Sequence, residues 1–315
     1  MYAATGLVAV LGLWLAAGSL PQDLGRGPRS SAPTAARPPA APLHTVARPS
    51  PAPATMAAKS SAAPAPAAGP RRGVTLPPAG GRADYQLGGG YPPATGVQIV
   101  TRDRTDRPRP GSYNICYVNA FQTQPEQNGW WRAHARTLLL HDGQGREVTD
   151  PAWPGEVLLD TRTPATRGAL TRIIGAWIDG CAHSGDLAVE PDNLDSWTRS
   201  RGLLRQGDNV AFARRLTARA HADALAIAQK NTAELGGQGP AIGFDFAVVE
   251  ECQVYDECDA YTSVYGRRVI EVEYSDSGRA AFDTACRVRR GRASIVYRDR
   301  QLTRPGDPDH VYAAC

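Results

Sequence analysis

The sequence predicts an α/β fold, a (β/α)8 TIM-like barrel over residues 83–315, on three observations. Short apolar runs rich in β-branched residues recur along this region. Segments with helical spacing separate them. Polar or charged residues stand directly after most of the runs.

The runs are Val97 to Thr101, Tyr113 to Val118, Thr137 to Leu140, Leu187 to Glu190, Leu225 to Gln229, Phe244 to Val249, Val269 to Glu273 and Ala293 to Tyr297. Near-continuous apolar character of this kind fits strands buried on both faces of a parallel sheet. Between the third and fourth runs, Leu170, Ile173, Ile174, Trp177 and Ile178 share one face of a predicted helix from Arg167 to Cys181. A second helix is predicted over Val210 to Ala224. An open nucleotide-binding sheet needs a glycine-rich turn after its first strand, whereas Gly88, Gly89 and Gly90 precede the first predicted strand.

Two segments of different composition come before the barrel. Residues 1–20 contain an uncharged apolar run, Ala3 to Leu20, that reads as a signal peptide or an uncleaved signal anchor. Residues 21–82 are dominated by Ala and Pro with almost no large apolar side chains, so they cannot bury a core and are expected to form a disordered linker. The expected location is therefore secreted or extracellular, with membrane contact only if residues 1–20 remain as an anchor.

The formal net charge of +4 is carried by the first 82 residues; the remainder holds 27 basic and 30 acidic side chains, a net of −3. That balance argues against a nucleic-acid partner. All six cysteines lie after residue 82, and an even number in an exported chain suggests disulfides. Cys252 and Cys258 are close enough in sequence to be bridged across a short loop, while the pairing of Cys116, Cys181, Cys286 and Cys315 stays open. Their spacing is not that of a zinc site, and no metal or cofactor is expected.

A barrel works at the carboxyl ends of its strands. The predicted strands run out into Asp103, Asn119, Glu190 with Asp192, Lys230 with Asn231, Glu250 with Glu251, and Glu273, and Asp160 stands on a loop of the same region. Carboxylates, amides, a lysine and aromatics around one mouth suit hydrolysis of a sugar linkage by paired acids. Asp192 and Glu250 are the expected pair, since each follows an apolar run and the two runs sit near enough on a barrel to converge. A lone acid after a strand is more often a helix cap or ion-pair partner, and Glu190 and Glu251 compete for the same roles. Lys230 is the only lysine after residue 59, which invites a functional reading beside the plainer one of a surface lysine. Trp130, Trp131, Trp153 and Trp197 can stack on sugar faces or simply fill the core. No GxSxG elbow, GxxxxGK loop or HExxH helix is present.

At these residues the chain resembles the family 114 glycoside hydrolases, the endo-α-1,4-polygalactosaminidases. The matching segments begin at Asp84 (DYQLG), Ile115 (ICYVNAFQ), Trp153 (WPGE), Val189 (VEPDNLDS), Ile227 (IAQKN), Val249 (VEECQVYDEC) and Val272 (VEY). The resemblance implies a TIM-like barrel and endo-cleavage of α-1,4-linked galactosamine or N-acetylgalactosamine polysaccharide. Carried over to this chain, it implies Asp192 as nucleophile and Glu250 as general acid and base, with a retained product configuration. Where relatives read Asp-Pro-Asp-Asn this chain has Glu190 in first place, and where they read Asn-Glu-Gln-Cys it has Val249 and Glu251, which changes the polar surroundings.

The expected partner is therefore a cationic, galactosamine-containing polysaccharide, with Asp103, Tyr117, Asn119, Asp160, Glu190, Lys230, Asn231, Glu251 and Glu273 lining subsites. Two rival readings are a glycosidase acting on another α-linked glycan and a non-catalytic carbohydrate-binding barrel at the cell surface. Retention of both central acids favours an enzyme.

Overall fold

The structure, a computed structural model, describes residues 73–315. The expected export segment, residues 1–20, and most of the expected linker lie outside the described residues. Residues 73–82, grouped with that linker on composition, pack on the barrel: Val74 and Leu76 join its interior cluster, and the Tyr113 hydroxyl donates to Thr75 O at 2.7 Å.

Eight parallel strands follow one another around the sheet in chain order: β1 (Ala83–Tyr85), β2 (Ile99–Asp103), β3 (Tyr113–Asn119), β4 (Ala188–Asp192), β5 (Ala226–Lys230), β6 (Phe246–Glu250), β7 (Val269–Tyr274) and β8 (Ser294–Arg298). A ninth strand, β9 (Tyr312–Ala314), runs antiparallel to β8. The helices are α1 (Asn128–His134), α2 (Pro164–Ser184), α3 (Gln206–Ala222), α4 (Gly239–Ile242), α5 (Cys258–Tyr265) and α6 (Arg279–Arg289). The connections from β1 to β2 and from β2 to β3 contain no helix, so the helical layer begins after β3.

Seven of the eight predicted strands coincide with observed ones, and the third does not. Residues 136–138 form a 3-10 turn, and Leu139 makes only an isolated bridge to Leu159. Leu138, Leu139 and Leu140 are buried, which accounts for an apolar run that mimics a strand. The strand that restores the count is β1, too short at Ala-Asp-Tyr to give a periodic signal.

Alternation divides the strands into an inner and an outer set. Ala188, Ala226, Ala228, Phe246, Val248, Ile270, Val272 and Val296 fill the interior, with Tyr85 and Ile115 from the first strands. The intervening Val189, Ile227, Ala247, Val249 and Ile295 pack against the helices. Each buried Val, Ile or Phe among them contributes roughly 1.5–3 kcal/mol relative to exposure. Helix α2 sits where its stripe predicts, burying Leu170, Ile174 and Ile178, and it begins with a capping box between Thr163 and Thr166 and ends at Gly185 with φ 95°.

Side chains close the seam between β8 and β1. The guanidinium of Arg298, fully buried, donates to Tyr85 O, to Thr303 O at 2.7 Å and to Val311 O at 2.9 Å. Tyr312 of β9 donates to Ala83 O at 3.1 Å. Three disulfides fasten the shell: Cys116–Cys181 ties β3 to α2, Cys252–Cys258 closes the loop after β6 as its spacing suggests, and Cys286–Cys315 ties α6 to the residue after β9.

Candidate active site

The alternation that builds the interior also selects its polar upper layer. Continuing the inward series beyond Ala188 reaches Glu190 and then Asp192; beyond Ala228 it reaches Lys230, beyond Val248 Glu250, and beyond Val272 Tyr274. Just past three of these ends the backbone turns left-handed, at Asn193 (φ 64°), Asn231 (φ 46°) and Glu251 (φ 57°). Asparagine tolerates that region; glutamate does so rarely. These turns stop the strands sharply and leave Asp192, Lys230 and Glu250 facing the mouth.

Lys230 is the hub. Its Nζ lies 3.1 Å from Asp192 Oδ1, 3.1 Å from Glu190 Oε1 and 3.4 Å from Glu250 Oε2. It also donates to the Tyr85 hydroxyl at 3.2 Å, and that hydroxyl donates to Glu190 Oε1 at 2.6 Å. Burial opposes the charge on Lys230, but the facing carboxylates of Asp192, Glu250 and Glu190 outweigh it and hold its proton well above the usual lysine range.

The three acids differ. Burial raises Asp192, yet Lys230, the Tyr117 hydroxyl at 2.8 Å and the Asn193 N–H at 2.7 Å more than compensate, so its carboxyl sits below the usual range. Glu190, enclosed beneath it, is pushed up to about 7 by burial despite Lys230. Its Oε2 is buried without a hydrogen-bond partner among the described residues. Glu250 Oε2 accepts from Asn231 Nδ2 at 3.1 Å, its N–H donates to Asn231 Oδ1 at 2.8 Å, and Tyr274 donates to its Oε1. The oxygens of Asp192 and Glu250 that share Lys230 can be no farther apart than the two contacts laid end to end, about 6.5 Å.

Above this cluster opens a cavity of about 390 Å³. Of the residues expected at the site, Asp103, Tyr117, Asp192, Lys230, Asn231 and Glu250 line it. Asn119, Glu190 and Glu251 stand one layer back. Asn119 donates to Glu156 Oε2 at 2.9 Å, and Glu251 pairs with Arg300 at 2.8 Å, Glu156 and Arg300 both being cavity residues.

Two expectations are corrected. Asp160 does not reach the cavity: buried, it binds Arg162 at 2.7 Å and caps the N–H of the same residue at 3.0 Å. Glu273 follows Val272 and precedes Tyr274, so it points to the helical side, where its Oε1 accepts from Gln253 N at 2.9 Å. Tyr274 takes the inward place assigned to Glu273. Among the tryptophans, Trp131 is fully buried, Trp197 packs on a small core cluster, Trp130 stacks on His134, and Trp153 is 46% exposed on the cavity wall.

Residues at the site that were not named as candidates are Tyr85, Glu156, Arg199, Tyr274 and Arg300, although Tyr85, Glu156 and Tyr274 fall within the segments DYQLG, WPGE and VEY. Period-two spacing from Ile270 and Val272 was a usable signal for Tyr274. Glu156 and Arg199 lie outside any regular strand, with Arg199 bound to Asp150 at 2.6 Å and Asp195 at 2.8 Å, and no periodicity points to them.

The family model for glycoside-hydrolase family GH114 matches residues 63–315. Among solved structures, Ega3 of Aspergillus fumigatus, in complex with galactosamine, is similar with a TM-score of 0.62 and 22% identity, over 76% of this chain and 97% of that chain. The glycoside hydrolase domain of PelA from Pseudomonas aeruginosa is similar with a TM-score of 0.50 and 13% identity, over 73% of this chain and 97% of that chain. Both are likenesses of fold. No curated protein sequence matches.

Proposed function

The chain belongs to glycoside-hydrolase family GH114, and from that premise we propose that this glycoside hydrolase is an endo-acting enzyme that cleaves α-1,4-linked galactosamine polymer with Asp192 and Glu250. The observation that carries this reading is the single ammonium of Lys230 touching both acids, at 3.1 Å and 3.4 Å. A separation bounded at about 6.5 Å supports direct attack by one carboxylate, because inverting sites need room for a water between the acids.

In the first step Glu250, as the acid, gives its proton to the glycosidic oxygen while ionised Asp192 attacks the anomeric carbon. The C–O bond to the leaving sugar breaks and a glycosyl ester forms. In the second step Glu250, now a carboxylate, takes a proton from water, whose oxygen displaces Asp192 and regenerates both groups. The configuration is retained. Lys230 keeps Asp192 ionised, while Tyr274 and Asn231 orient Glu250.

The acids Asp103, Asp150, Glu156, Asp192, Asp195 and Glu250 around the cavity outnumber Arg199, Lys230 and Arg300, which supports a cationic polysaccharide as partner. Ega3 bound to galactosamine supports the same sugar class. Export is supported by the pairing of all six cysteines in disulfides.

The test is release of reducing ends from α-1,4-galactosaminan, deacetylated and acetylated, by the full chain and by Asp192→Asn and Glu250→Gln. Activity abolished in both variants with circular dichroism unchanged supports the assignment. Polymer binding without release in the wild type would reduce the protein to a binding module on this glycan.

A further inference from the structure

We propose that Glu156 reads the nitrogen substituent on C2 of the sugar held against Asp192 and selects a free, protonated amine over an N-acetyl group. The inference rests on the galactosamine reading above and adds the residue that would set acetylation preference.

Glu156 lies on the long connection between β3 and β4 and reaches the site through both neighbours of Asp192. Asn119, the register partner of Asp192 across the sheet, donates to Glu156 Oε2 at 2.9 Å. Asn193, the next residue in the chain, donates to the same oxygen at 3.4 Å. Both anchors are spent on Oε2. Among the described residues no hydrogen bond engages Oε1, and Glu156 lines the cavity, so that oxygen remains available as an acceptor on the wall beside Asp192.

The position matches the sugar's own geometry. Asp192 addresses the anomeric carbon C1, and the nitrogen sits on C2, one bond away. A carboxylate oxygen beside the nucleophile meets a protonated amine with a charge-assisted hydrogen bond. An N-acetyl group offers a neutral N–H and adds an acyl group on the same side. Three residues earlier, exposed Trp153 lines the same wall, its carbonyl receiving the Glu156 N–H at 2.8 Å, so the ring and the carboxylate are fixed to one turn. The ring offers an apolar platform for the sugar face, while Glu156 distinguishes its nitrogen. Burial, with Asp192 and Asp150 nearby, raises Glu156 to about 7, so an arriving ammonium stabilises its ionised form.

Glu156→Gln is the discriminating variant. Its amide oxygen can keep the bonds from Asn119 and Asn193 while an NH2 donor replaces the free acceptor. Calorimetric binding of α-1,4-galactosamine oligomers and their N-acetylated counterparts to the full chain is measured, with reducing-end release alongside. The wild type should prefer the free amine, and in Glu156→Gln that preference should fall roughly tenfold or more, chiefly through Kd and KM. Trp153→Ala should weaken both oligomers by similar factors and keep the preference. Binding by Glu156→Gln with an unchanged ratio, or equal loss for both oligomers, overturns the proposal and leaves the galactosamine reading standing. Failure of the wild type to bind either oligomer overturns both.

Discussion

Lys230 Nζ lies 3.1 Å from Asp192 Oδ1, a buried ammonium set directly against the proposed nucleophile. Lys230→Met removes the charge that offsets burial of Asp192, so the Asp192 carboxyl moves up and its ionised form is lost at higher pH. The expected outcome is a fall in kcat of about a hundredfold or more, with the acidic limb of kcat/KM displaced to higher pH. A pH–rate profile on deacetylated polymer checks it; an unmoved limb would refute this role for Lys230.

Azide should separate the two acids chemically. With Glu250→Ala, the glycosyl ester on Asp192 is open to azide and the glycosyl azide should keep the configuration of the substrate. With Asp192→Ala, azide takes the place of the nucleophile and the product should have the opposite configuration. Proton NMR of the products distinguishes them, and the reverse pattern would exchange the two roles.

Glu190 links the site to stability. Burial lifts its carboxyl from 4.5 to about 7, so between those values the folded protein holds a proton that the unfolded chain has released. Its contribution is full below the lower value and is lost as pH rises through the upper one. Glu190→Gln should remove that slope, so its Tm should fall less than that of the wild type between pH ~5 and ~8. Equal slopes in thermal melts of the two proteins would refute it.

The disulfides should divide stability from activity. Cys116–Cys181 spans 65 residues and Cys252–Cys258 only 6, so chain entropy makes the first worth roughly 2 kcal/mol more. Paired serine substitutions of Cys116 and Cys181 should lower the denaturant midpoint further. Substitution of Cys252 and Cys258, just beyond Glu250, should cost more in kcat than in stability. Parallel urea melts and rates check both statements.

Salt should act on charged substrate alone. Screening between ~0.05 and ~0.5 M salt should raise KM for deacetylated polymer several-fold and leave that for acetylated polymer nearly constant. A salt-independent KM for the cationic polymer would remove electrostatics from its recognition.

The parts of this molecule that were readable in the sequence are those governed by strand periodicity. Asp192, Lys230 and Glu250 all continue an apolar inward series, which is why an acid–lysine–acid constellation could be anticipated. The same rule, applied to Ile270 and Val272, selects Tyr274 over Glu273, and treating every polar residue at a strand end as equivalent led to the wrong one. Asp160 misled because an acid on a loop near the mouth is as readily consumed by a neighbouring arginine. Strand periodicity reaches neither Glu156 nor Arg199: Glu156, although within the WPGE segment, is placed by how the long connection from β3 to β4 folds back over the barrel, through bonds such as Asn119 to Glu156 that join residues 37 apart, and Arg199 by the short turn after β4. Leu138 to Leu140 looked like a strand because burial produces the same apolar run, although its backbone bonds go to Leu158 and neighbouring loop residues and not to the barrel sheet.

The seam at Arg298 makes the two ends of the strand order one structural unit. One guanidinium gathers carbonyls from both sides of the seam, Tyr85 O from the first strand and Thr303 O and Val311 O from the segment after the eighth. The cavity mouth borrows Leu87 and Gly88 from one edge and Arg300 and Leu302 from the other, while Tyr85 of the first strand reaches Lys230 beneath it. The site therefore belongs to both margins of the sheet at once, and loosening this clasp would reach the chemistry as well as the fold.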